Sequence, residues 1–132
     1  MNNKSITGKL QNTFQSYPQI IAAYFYGSQI TGRANKQSDL DLALIVDNPK
    51  SIKYDTLYQL LTQIIKGVEI DLRIVTSKSS PTYLFQVLKS GKRVYQRDNL
   101  ERVRFESEVM RNFYDFQHIR NIYDSYLKQA FK

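Results

Sequence analysis

The sequence predicts an α+β domain, with strands interleaved with helices and followed by a long C-terminal helical segment. Three observations predict it: short runs of β-branched and aromatic residues, stretches of helical period between them, and turn residues at the junctions. With 132 residues, a single domain over residues 1–132 is expected, since domains commonly run about 100–150 residues.

Residues 5–17 carry Ile6, Leu10 and Phe14 at spacings of four and end before Pro18, the pattern of a short amphipathic helix. The run Ile20, Ile21, Ala22, Ala23, Tyr24, Phe25, Tyr26 reads as a buried strand that stops at Gly27-Ser28. Residues 29–38 are polar and contain a glycine, so a helical turn followed by a loop is expected. Leu40, Leu42, Leu44 and Val46 then alternate with Asp39, Asp41, Ala43 and Ile45, which predicts a second strand with both aspartates on one face. Asp47-Asn48-Pro49 is turn chemistry, and the apolar spacing over 51–66 predicts a helix stopped near Gly67. Alternation returns over 68–75, a third strand with Glu69, Asp71 and Arg73 on one side. A helix is expected from Pro81 to a Gly91 stop, then a short extended piece at Arg93-Val94-Tyr95, then helix from Asp98 to about Lys128.

Composition excludes several chemistries. The chain has no cysteine and one histidine, His118, so disulfides, thiolate nucleophiles and multi-histidine metal sites within one chain are ruled out. Any metal must bind oxygen. The first ten residues lack the apolar core of a signal peptide, and no apolar run approaches the ~18 residues of a membrane span, so a cytoplasmic protein without a membrane role is expected. The formal charge of +7 favours phosphate-bearing ligands or an acidic partner only through the general field of the molecule.

The chemistry-bearing pattern is acidic. Asp39 and Asp41, two positions apart on a strand, project from the same face roughly 7 Å apart at the backbone. Carboxylates that close repel, and a divalent cation relieves the repulsion; hard oxygen ligands suit Mg²⁺, which keeps other positions for water and phosphate oxygens. Asp71, at a matching phase on the next strand, could close the site. Three such carboxylates would hold a pair of ions about 4 Å apart, as in phosphoryl or nucleotidyl transfer. Gly27-Ser28 complements them: a glycine at a strand-to-helix junction lets backbone approach a ligand, and exposed amides with the Ser28 hydroxyl can receive a phosphate.

Gly27-Ser28, ten residues, Asp39, one residue and Asp41 stand in the segment YGSQITGRANKQSDLDLALIV. With this spacing the chain resembles the polymerase-beta-like nucleotidyltransferase superfamily, and within it the minimal nucleotidyltransferases of the MntA antitoxin type. Asp71 in VEIDLRIV matches the further strand carboxylate, and the segments PTYLFQVLKSGKRVYQRD and FESEVMRNFYDFQ also look like the C-terminal half of these proteins. One departure is the order Thr31-Gly32-Arg33-Ala34, where many relatives carry a basic and a small residue before the glycine.

The resemblance implies a mixed β-sheet flanked by helices. It implies that Asp39 and Asp41 ligate two Mg²⁺ ions, that Asp71 completes the metal site or serves as general base, and that Gly27 and Ser28 hold the β- and γ-phosphates of ATP. It implies a type VII-like antitoxin that transfers AMP from ATP to a tyrosine of a cognate HEPN RNase toxin. Only about 55 residues follow the motif core, so the acceptor is expected to come from another molecule. Two alternatives stand beside it: an antitoxin that inhibits by binding alone, and a stand-alone enzyme acting on a small molecule such as an aminoglycoside, or on an RNA end.

Other residues read less sharply. Glu69 reads as a solvated residue at the start of its strand, and Arg73 could pair with a carboxylate or a phosphate. Arg111 and His118 match the Arg-x6-His spacing of HEPN RNases, but the surrounding chain does not resemble them. The aromatics Phe105, Phe113, Tyr114, Phe116, Tyr123, Tyr126 and Phe131 suggest a partner-binding C-terminal helix rather than direct nucleic-acid binding.

Overall fold

Strand β1 (Ile20–Tyr26) forms the axis of a four-stranded sheet ordered β3-β2-β1-β4, with β2 spanning Leu40–Val46, β3 Ile70–Val75 and β4 Lys92–Gln96. A computed structural model describes residues 3–26 and 40–130. β1 is antiparallel to both neighbours, whereas β2 and β3 run parallel, so the sheet is mixed. A parallel pair needs a crossover, and here helix α2 (Tyr54–Ile64) supplies it. Helices α1 (Asn3–Gln15), α3 (Pro81–Ser90) and α4 (Asn99–Ala130) complete the described elements.

Alternation along the strands divides the core into two layers. Leu42, Leu44 and Val46 of β2, with Ile70 and Leu72 of β3, pack under Leu10 and Phe14 of α1 and Leu57 and Leu61 of α2. On the other face Ala43 and Ile45 join Ala22 and Tyr24 under Leu84 and Val87 of α3 and Phe105 and Val109 of α4. A register irregularity against β2 between Ile20 and Ala22 puts Ile21 and Ala22 together on the α3–α4 side, and Ala23 returns to the α1–α2 side. Such a bulge re-aims the strand without ending it.

Sequence expectation and structure agree on every described strand and helix, with instructive differences at the ends. The expected helix over 51–66 is divided, because Asn48 accepts from the Lys50 amide to start a 3₁₀ turn over Pro49–Ser51, and Ile52 then turns extended. Ile52 is thereby buried in the α1–α2 layer, which a continuous helix would not achieve. The third strand begins at Ile70 rather than 68, leaving Glu69 exposed, with its carbonyl accepting from the Leu40 amide at 2.7 Å. Gly67 takes a φ of +84° after α2, a left-handed conformation that glycine adopts without steric cost. The turn and loop expected over 29–38 lie outside the described residues. Among the described residues no helix is long and apolar enough to cross a membrane.

The start of α4 is tied down by polar groups. The Tyr24 hydroxyl donates to Glu106 at 2.7 Å, and Arg102 donates to Glu106 at 2.8 Å, to Gln96 at 2.9 Å and to Asn99 at 2.8 Å. Burial, and then the bond to Glu106, push the Tyr24 phenol well above its ordinary range, so it stays a donor. Arg97 adds an ion pair to Glu101 and another to Asp47 at 3.4 Å.

Gly91 alone separates α3 from β4, and its reason for being glycine is space. A Cβ there would sit 2.7 Å from the Phe25 carbonyl oxygen and closer still to that of Val87, both backbone atoms that cannot rotate away. Gly91→Ala is therefore expected to destabilise the fold by about 1–3 kcal/mol in a denaturant melt. A loss below about 0.5 kcal/mol, the ordinary range of surface changes, would contradict this close approach.

Candidate active site

β2 and β3 place the two described acidic candidates side by side. Asp41 and Asp71 are each the second residue of their strand, and the parallel register pairs them directly. Neighbouring strands lie about 4.8 Å apart, so the two carboxylates stand together on the face shared with α3 and α4. The row continues across the sheet, because Asp41 is also the register partner of Tyr26 on β1. Gly27, Ser28 and Asp39, the remaining expected site residues, lie outside the described residues.

Two tyrosines and an arginine border the pair. The Tyr26 and Tyr83 hydroxyls lie 2.7 Å apart, and their rings meet edge-on with centroids 5.8 Å apart. Tyr83 occupies the first turn of α3, where Pro81 begins the helix and the Ser80 side chain accepts from the Tyr83 amide. Arg73 Nε lies 3.6 Å from Asp71 Oδ2, and the guanidinium carbon lies 5.4 Å from the Tyr83 ring centroid. Of the two partners left open by the sequence, Arg73 takes the carboxylate.

Electrostatics follow from this packing. Burial is the first cause that raises the Tyr26 phenol, opposed by the Tyr83 hydrogen bond and Arg73 and reinforced by Asp41 and Asp71. The Tyr83 phenol is raised strongly, by burial and then by its bond to Tyr26. Both hydroxyls therefore remain protonated at neutral pH, as hydrogen-bonding groups rather than nucleophiles. Tyr26 and then Asp71 raise the Arg73 guanidinium, which keeps its charge.

The donor chemistry fits a hard divalent cation. Two carboxylates in register offer oxygen ligands of the kind Mg²⁺ takes, with one or two carboxylates and the rest water or phosphate. Among the described residues no cluster of three His, Cys, Asp or Glu side chains forms a metal site, so a full triad requires Asp39. Two open grooves among the described residues lie elsewhere. One of about 520 Å³, lined by residues including Thr13, Tyr17 and Leu60, involves α1 and α2 on the opposite face. Another of about 260 Å³, lined by residues including Val46, Asp47 and Lys78, sits at the far end of β2 from Asp41.

Sequence reasoning missed Tyr26 and Tyr83 as neighbours of the acids. Tyr26 carried a signal, since it closes the strand that runs into Gly27-Ser28. Tyr83, 12 residues beyond Asp71, carried none, because only the passage of α3 over the sheet brings it there.

Comparison with known proteins follows the same lines. The model of the family described as polymerase beta, nucleotidyltransferase matches residues 8–100. No curated protein matches the chain. Among solved structures, a chain of a toxin–antitoxin complex with AMP-PNP is 19% identical, with a TM-score of 0.66, over 96% of this chain and 98% of that one. A chain from the complex of tri-AMPylated Shewanella oneidensis HEPN toxin with MNT antitoxin is 16% identical, with a TM-score of 0.63, over 98% of both. The spectinomycin adenyltransferase AAD(9) from Enterococcus faecialis, solved with ATP and spectinomycin, is 18% identical, with a TM-score of 0.55, over 76% of this chain and 59% of that one. At these identities the likeness is one of fold.

Proposed function

Since the chain belongs to the polymerase beta nucleotidyltransferase family, we propose that it is an antitoxin that transfers AMP from ATP to a tyrosine of a HEPN RNase toxin and so silences it. The observation that carries this reading is the pairing of Asp41 with Asp71 across parallel strands, which assembles from two distant segments the acidic site that nucleotidyl transfer needs. Support for the acceptor comes from the full-length likeness to a chain of the complex that holds a tri-AMPylated HEPN toxin. The match to the spectinomycin adenyltransferase, by contrast, spans only 59% of that chain.

In this reading Asp39, Asp41 and Asp71 hold Mg²⁺, and Gly27 and Ser28 receive the β- and γ-phosphates. Bound Mg²⁺ neutralises the charge of the transferring phosphoryl group and of the departing pyrophosphate. The tyrosine oxygen of the toxin bonds to the α-phosphorus as the bond to the β-phosphate oxygen breaks, and the Asp71 carboxylate takes the phenolic proton. Positioning of the two oxygens in line is the chain's main catalytic contribution. ATP as donor and an RNase as acceptor make the cytoplasm the compartment, and residues 1–132 act as one domain.

A binding-only antitoxin is the second reading, favoured by the exposure of every residue from 114 to 130 on α4. Incubation with α-labelled ATP, Mg²⁺ and the protein encoded by the adjacent gene separates the readings. Label on a tyrosine of that protein, with loss of its RNase activity, is the expected result. Inhibition without label would establish the binding-only antitoxin, and label on an aminoglycoside or an RNA end with no protein partner would establish a stand-alone enzyme.

A further inference from the structure

Tyr26, Asp41 and Asp71 form one row across three strands. Tyr26 is the register partner of Asp41, and Asp41 that of Asp71, so the three side chains leave the sheet on one face, with strands about 4.8 Å apart. Tyr26 is also the last residue before Gly27-Ser28. It therefore stands between the acids, along the row, and the proposed phosphate cradle, along the chain. Its side chain is half-buried and held from above: the hydroxyl of Tyr83, on the first turn of α3, lies 2.7 Å from its own, and the two rings meet edge-on.

The pair holds two hydroxyl protons and uses one. A hydrogen bond between two phenols consumes a single donor, so the other O–H has its acceptor elsewhere. Asp41 and Asp71 both act on the Tyr26 oxygen, and a negative field turns a hydroxyl dipole toward itself. That orientation leaves a Tyr26 lone pair for the Tyr83 proton and aims the Tyr26 proton along the row.

We propose that the Tyr26 hydroxyl donates a hydrogen bond to a non-bridging α-phosphate oxygen of the nucleotide, and that Tyr83 is the positioning residue that keeps it aimed by donating to the Tyr26 oxygen. This rests on the nucleotidyltransferase reading above. When Gly27 and Ser28 receive the β- and γ-phosphates, the α-phosphate is the group that lies between cradle and acids. A neutral donor fixed there by the fold meets phosphate charge without adding a proton to the reaction. Because the ring is already held, little side-chain freedom is lost on binding. Donation from Tyr83 also polarises the Tyr26 O–H and strengthens it as a donor.

Calorimetry with Mg²⁺ and no acceptor tests the contact, with ATP and the two α-thio diastereomers of ATP as probes. Tyr26→Phe is expected to bind ATP about tenfold more weakly, the size of a hydrogen bond to a charged group. Sulfur accepts a hydrogen bond more weakly than oxygen, so wild type should bind one diastereomer several-fold more weakly than ATP, and in Tyr26→Phe that difference should fall below about twofold. A purely structural tyrosine would weaken all three nucleotides alike. Tyr83→Phe should weaken ATP by about threefold, and the double variant should bind no more weakly than Tyr26→Phe alone, as for two residues acting through one contact. Each variant keeps its ring, so thermal midpoints should stay within a few degrees of wild type.

ATP binding by Tyr26→Phe within about twofold of wild type, an undiminished thio effect, or a double variant in which the two losses multiply would each overturn the proposal. Asp41→Asn keeps the two levels apart. No ATP binding by wild type, or binding that depends neither on Mg²⁺ nor on Asp41, would overturn the nucleotidyltransferase reading itself. Mg²⁺-dependent binding that Asp41→Asn removes, beside a silent Tyr26→Phe, overturns only the role of the tyrosines.

Discussion

Asp41→Asn is expected to lower AMP transfer by at least about a hundredfold while leaving the thermal midpoint within a few degrees of wild type. The size follows from what the residue does in the proposed reaction: removing one preorganised electrostatic partner of a transition state typically costs ~10²–10³ in rate. The mildness of the structural effect follows from position. Asp41 is only half-buried, at the open end of β2, and asparagine keeps its shape. Replacing one of two adjacent carboxylates also relieves repulsion in the metal-free protein. Asp39→Asn and Asp71→Asn should behave alike in the transfer assay. Asp71→Asn additionally leaves Arg73 without its carboxylate, an exposed pair worth about 0–1 kcal/mol. Near-normal transfer by any of the three variants, measured as label on the partner, would sink the metal-site assignment. Loss of transfer together with loss of the folded baseline would mean that the carboxylate was structural.

How much of this site the sequence disclosed depends on how local the cause was. Strand β1 was legible to the residue, since Ile20–Tyr26 is an unbroken apolar run, and β2 over its described residues, since Leu40–Val46 alternates cleanly within the strand expected from Asp39. α3 was legible because Pro81 and Gly91 mark its ends. The face of Asp41 and Asp71 could be read from alternation. Their pairing could not, because register between β2 and β3 is fixed by the α2 crossover and by packing under α1 and α2. The Tyr26–Tyr83 contact belongs to the same class: it exists because α3 crosses the sheet, a tertiary event with no local signal. The break before α2 was hidden for another reason. Ile52 fits a helical period as well as it fits an extended residue turned into the core, and burial decided between them. Helix α4 shows the converse, a long helix whose existence was plain and whose partial coverage was not.

Partial coverage of α4 leads to the second large effect. Ile119→Asp is expected to weaken association with the proposed HEPN partner by about thirtyfold or more, the equivalent of one interface hot spot, without lowering the stability of the chain alone. Phe105 and Val109 are buried under the body of the domain, and the same stripe continues at helical spacing as Phe116, Ile119, Tyr123 and Tyr126, which are 45%, 65%, 63% and 69% exposed. Seventeen residues at 1.5 Å each make an overhang of about 25 Å. An exposed apolar face of this extent marks a surface for another molecule. Its placement suits an acceptor protein, because α4 climbs from Arg102 beside Gln96, at the level of Ala22, to Glu106 at Tyr24. That is toward the end of the sheet that holds Asp41. A partner held there presents its own side chains to the acid pair. Transfer by Ile119→Asp should therefore fall through KM and recover at high partner concentration, unlike the loss in Asp41→Asn. Unchanged affinity would remove α4 from the interface. A change in the apparent mass of the chain alone on gel filtration, from dimer to monomer, would show that the stripe pairs with a second copy instead.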